Sequence, residues 1–67
     1  MSIKEYIINN FKEDNLETLE NAINECVKEQ DEETLPGMGV FLELIWQGSD
    51  ENQKKSMLNI LHRELHK

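Results

Sequence analysis

The sequence predicts an all-α fold: a small four-helix domain with a short, highly apolar central helix after a Leu-Pro-Gly-x-Gly turn. Apolar residues recur at helical spacing in four stretches, and each stretch is bounded by capping or helix-breaking residues. No alternating strand pattern competes. The 67 residues read as one domain, 1–67, with neither a linker nor an internal repeat.

Ser2 and Glu5 have capping-box spacing and open the first helix, which carries Ile3, Tyr6, Ile7 and Phe11 on one stripe. Lys12 to Asn15 form a short polar connection. Asp14 and Glu17 repeat the capping-box spacing at the start of the second helix. There Leu16, Leu19, Ala22, Ile23, Cys26 and Val27 fall within about 140° of arc, opposite a polar side of Glu17, Asn21, Asn24, Glu25 and Lys28. An acidic connection from Glu29 to Thr34 leads to Pro36, Gly37 and Gly39, which read as a structural turn. Proline fixes its own φ and biases Leu35 toward extended backbone, while glycine allows a reversal.

Val40, Phe41, Leu42, Leu44, Ile45 and Trp46 then cover most of a helix, leaving Glu43 and Gln47 as its polar strip. A helix this apolar is expected to be buried by several neighbours or to sit in an interface. Gly48 ends it, and Ser49 or Asp50 caps a fourth helix. In that last helix Met57, Leu58, Ile60, Leu61 and Leu65 span about 160° of arc.

A chain of this length buries only about 60% of its unfolded surface, so its stability is marginal and association would add to it. Trp46, Phe41 and Leu42 are the candidate interface residues, and a homodimer is one expectation. Charge is unevenly placed. Residues 1–35 hold ten acidic and three basic side chains, whereas residues 36–67 hold four of each, so the net charge of −7 lies in the first half. That half would repel a polyanion, so nucleic acid is not an expected partner; a basic protein is the alternative partner. No apolar run is long enough to span a membrane, and no cationic stretch precedes an apolar leader, which reads as an intracellular protein.

The remaining residues form no recognisable site of chemistry. Gly37-x-Gly39 lacks a third glycine, since Leu42 stands there, and lacks the Gly-Lys-Ser/Thr of a phosphate loop. His62 and His66 lie one helical turn apart without a third metal ligand, and read as solvent-exposed partners of the helix dipole. The single cysteine, Cys26, falls in an apolar stripe and reads as a buried, inert thiol. Glu43 has Gln47 as its i,i+4 neighbour and no second acid, and so reads as part of a strip reaching solvent. Lys54 falls inside the apolar arc of the last helix, its stem expected along the core edge; with Lys55 it could alternatively form a basic contact spot. No catalytic residue, metal, cofactor or small-molecule substrate is expected.

The run from Thr34 to Trp46 resembles the small, acid-soluble spore protein I family, minor proteins of endospore-forming bacteria. The family carries Met-Leu-Pro-Gly-Leu-Gly-Val-Leu-Phe-Glu-Val-Ile-Trp. Here Thr34 replaces the methionine, Met38 the leucine and Leu44 the valine, with Phe41 and Leu42 in exchanged order. The likeness continues through Asp50-Glu51-Asn52, Lys54, Met57-Leu58, Leu61 and Leu65, and upstream through Leu19 and Ile23. Two departures stand out: Gln30 replaces a glycine, and the first ten residues match in apolar pattern alone. The resemblance implies a non-enzymatic protein made in the forespore, located in the cytoplasm-derived spore core, and with no assigned molecular role.

Overall fold

The computed structural model describes residues 2–29 and 35–67. It contains four helices, α1 (Ile3–Phe11), α2 (Leu16–Glu29), α3 (Leu35–Gln47) and α4 (Glu51–Leu65), and no strand among the described residues. The all-α expectation holds. The acidic connection from residue 30 to 34, with the family departure at Gln30, lies outside the described residues.

The starts of α1, α2 and α4 each have a local cause. The Ser2 hydroxyl accepts from the Glu5 amide at 3.1 Å and so satisfies one of the four donors that a helix leaves unpaired. At α2 the cap is one residue later than the sequence pattern suggests. Asn15 Oδ1 accepts from the Thr18 amide at 2.8 Å, and the Asn15 carbonyl accepts from Leu19 at 3.0 Å. At α4 the choice between Ser49 and Asp50 resolves to Asp50, in a full capping box. Asp50 Oδ1 accepts from the Gln53 amide at 2.8 Å, and Gln53 Oε1 accepts from the Asp50 amide at 3.0 Å. Ser49 instead donates its hydroxyl to the Ile45 carbonyl, and Gly48 donates its amide to the Leu44 carbonyl at 3.0 Å, closing α3.

Pro36, Gly37 and Gly39 require a correction. Expected as a turn ahead of the central helix, they lie inside it: α3 begins at Leu35, and neither glycine adopts a left-handed φ. Proline is tolerated here because amides in the first turn of a helix have no intrahelical acceptor to lose. The chain therefore does not reverse at the two glycines.

Helix α3 packs against both α1 and α2. The ring of Phe11 meets that of Phe41 edge to face, with centroids 5.1 Å apart. Lys4 of α1 pairs with Glu43 of α3, and a Cβ on Gly37 would sit 3.5 Å from Ile7 Cδ1. On its other side, α3 faces α4 across a groove.

The expected burial of α3 does not follow. No described residue is fully buried, and Leu42, Leu44, Ile45 and Trp46 are all exposed. The apolar stripe of α2 half-buries Leu19, Ala22, Ile23 and Cys26 but leaves Leu16 and Val27 in water. The radius of gyration is 13.0 Å, against about 11 Å for a compact domain of this length. The helices form correctly, and the domain they make is open.

Candidate functional site

Two apolar grooves flank α3. One, of about 280 Å³, is lined by Ile8, Phe11 and Lys12 of the α1 end, Leu19 and Ile23 of α2, and Phe41, Leu44 and Ile45 of α3. The other, of about 450 Å³, lies between Gly39, Leu42, Glu43 and Trp46 of α3 and Met57, Leu58 and Leu61 of α4. At 100° per residue Phe41 and Leu44 point one way and Gly39, Leu42 and Trp46 another, so α3 presents two apolar faces to two different sides. Its near-circumferential hydrophobicity serves both.

The second groove holds two of the three candidate interface residues. Leu42 is 58% exposed and Trp46 37%. Phe41 lies on the opposite groove, half-buried against Phe11. Lys54 is half-buried with its ammonium 5.2 Å from the centroid of the Trp46 ring, a cation–π arrangement that covers one side of the indole. The charge thus stands beside an aromatic ring of the neighbouring helix. Sequence spacing placed Lys54 in the apolar arc, but the ring it meets belongs to another helix and has no local signature.

Polar groups do not converge on either groove. Glu43, at the rim, is exposed; it accepts from Lys4 and, at 3.4 Å, from Gln47 Nε2, as a strip reaching solvent should. Cys26 is half-buried rather than buried. The His62 and His66 rings lie 4.3 Å apart on an exposed last turn. Among the described residues no three His, Cys, Asp or Glu side chains gather as a metal site requires. No described helix is long and apolar enough to cross a membrane.

Fold and site together define a class: a small all-α protein whose conspicuous features are apolar surfaces rather than a reaction centre. A sequence model of small, acid-soluble spore protein I matches residues 1–65. The chain is 36% identical over 61 residues to small, acid-soluble spore protein I of Bacillus subtilis (strain 168), covering 91% of this chain and 86% of that protein. The same-named protein of Geobacillus kaustophilus (strain HTA426) is 35% identical over 63 residues, covering 94% and 91%. That of Bacillus mycoides (strain KBAB4) is 34% identical over 61 residues, covering 91% and 88%. No solved structure matches the chain. The chain belongs to the small, acid-soluble spore protein I family, as the run from Thr34 to Trp46 suggested.

Proposed function

We propose that this protein is a non-enzymatic constituent of the spore core, made in the forespore and acting through its surfaces. Membership of a family of spore proteins supports the sporulation setting. The observation that carries the non-enzymatic reading is the chemistry of the two grooves. Each is walled almost wholly by hydrocarbon, with Lys12 and Glu43 as the charged residues at their respective edges. An acid–base or nucleophilic mechanism needs at least two polar groups within hydrogen-bond reach of one reacting atom. The grooves instead suit contact with another apolar surface.

Mass spectrometry of acid extracts from purified spores and from growing cells of the source organism tests the setting. Abundance in spores with absence from growing cells is the expected result. Equal abundance in both overturns the spore-core assignment.

A second reading rests on the charge distribution. Glu17, Glu20, Glu25 and Glu29 all stand exposed on α2, within a half that carries ten acids against three bases. Such a surface would engage a basic protein, and binding of that kind weakens steeply with added salt. Pull-downs from spore extract at low and high salt decide it: partners retained equally at both exclude this mode.

A further inference from the structure

The accessible surface of the chain is 5924 Å². A folded monomer of its mass, 7.9 kDa, is expected to expose about 4,400 Å². The excess is about 1,500 Å² over the whole chain; large apolar residues at least half exposed lie on α1 and α2 (Ile3, Tyr6, Leu16, Val27) as well as on α3 and α4 (Leu42, Leu58, Ile60, Leu61, Leu65). A standard specific interface covers about 800 Å² on each partner. The surface left open is therefore enough for one complete interface.

We propose that the face formed by α3 and α4 is covered by a second copy of this chain, in a two-fold dimer centred on Gly39, Leu42, Trp46, Leu58 and Leu61. Three observations single out this face and this occupant.

The first is charge. A two-fold contact places like residues near one another. Joining two chains through the α1–α2 side would bring together two halves with a net charge of −7 each, whereas residues 36–67 carry four acids and four bases. The neutral half can meet its own copy without that repulsion, and the acidic halves then lie outward. A basic partner, conversely, would seek the acidic half and leave this groove open.

The second is Gly39. Glycine inside a helix is unfavourable relative to alanine, so its presence needs a close approach or a special backbone angle. At Gly37 an added Cβ would meet Ile7 Cδ1 at 3.5 Å, an ordinary contact with α1. Gly39 has neither within one chain: its φ is not left-handed, and an added Cβ would meet nothing within 4 Å. It lines the α3–α4 groove, where the missing side chain leaves open space for one from outside.

The third is the state of α4. Its apolar stripe faces the groove and water, with Leu58 51% and Leu61 53% exposed. The fully capped helix thus presents an ordered apolar surface that its own chain leaves half uncovered. Trp46, an amphipathic ring of the kind that anchors interfaces, stands at the same place.

Sedimentation equilibrium of the full chain from micromolar to millimolar concentration tests the proposal. The expected species has twice the 7.9 kDa chain mass. Leu58→Glu and Gly39→Leu should each weaken association by at least about tenfold, the loss typical of a central interface position. Gly39→Leu protects the test against misfolding, because leucine favours the helix and the single chain leaves open space at that position. Circular dichroism should show its helical content unchanged or raised while the dimer is lost. Added salt should leave association unchanged or slightly strengthen it, since the acidic halves are screened. A monomer throughout the range, a larger assembly, a dimer that survives both variants, or a dimer that dissociates with salt would each overturn the proposal.

Discussion

Helices α1 and α4 both lie against α3, and they differ in what holds them there. The shorter α1 is tied across the interface: Phe11 meets Phe41, Ile7 lies over Gly37, and Lys4 pairs with Glu43. Its own ends are modestly specified, with Ser2 accepting from Glu5 and no basic side chain in the last turn. The longer α4 has a reciprocal capping box at Asp50 and Gln53, an acid in its first turn, and His62 and Arg63 in its last. Those features match the helix dipole and satisfy its end groups. Across to α3, its polar tie is Lys54 over Trp46, and most of its apolar stripe remains exposed. Helix formation and helix burial are thus specified by separate residues. An isolated helix of this length is marginal in water however well it is capped, so α4 gains most from a surface laid over it.

The largest difference between the two helices is expected at the aromatic pair. Phe11→Ala should cost about 2 kcal/mol, below the range for a fully buried phenylalanine because the ring is half-buried. In a domain whose core supplies only about 3–5 kcal/mol, that removes much of the stability. Urea unfolding followed by circular dichroism measures it. Leu58→Ala, assayed at high dilution where any dimer has dissociated, should cost less than about 1 kcal/mol, since the side chain is already half in water. Equal losses at the two sites would show that α4 is held as firmly as α1.

Capping gives the next largest effect. Asp50→Ala removes one partner of the reciprocal pair and should cost about 1 kcal/mol. Hydrogen exchange should report the loss first in the amides of Gln53 and Lys54, in the opening turn of α4. At α2, Asn15→Ala should cost up to about 1 kcal/mol while Asp14→Ala stays within about 0.5 kcal/mol. The reverse order in urea midpoints would return the cap to Asp14. The smallest effect is expected at Lys54→Ala, about 0.5 kcal/mol at a half-exposed ring, again read from the shift in urea midpoint.

The pair at Asn15 and Asp14 also marks where sequence reasoning stops. Both are good caps, and Glu17 three residues after Asp14 imitates a capping box, so the pattern favoured the wrong neighbour by one position. The four helices themselves were legible, because periodicity and flanking caps are local and agree. Pro36, Gly37 and Gly39 each permit a turn, but a residue type that permits a turn does not compel one. Whether glycine's freedom is used depends on what surrounds it: Ile7 over Gly37 and empty space beside Gly39 are tertiary facts. The two apolar faces of α3 were visible as a wide arc, but their division between α1 with α2 and α4 was not. Lys4 with Glu43, 39 positions apart, and Lys54 with Trp46 likewise join residues on different helices. No spacing rule reaches across such distances.

The ammonium of Lys54 above the ring of Trp46 also makes the chain its own optical probe. The sequence holds a single tryptophan, so all indole emission comes from the mouth of the α3–α4 groove. The ring is 37% exposed and senses both water and a positive charge. Covering the groove would dry the ring and move its emission to shorter wavelength, whereas detaching α4 would expose the ring further to water and move it to longer wavelength. Opposite colour shifts therefore separate occupation of the groove from its opening, without a label.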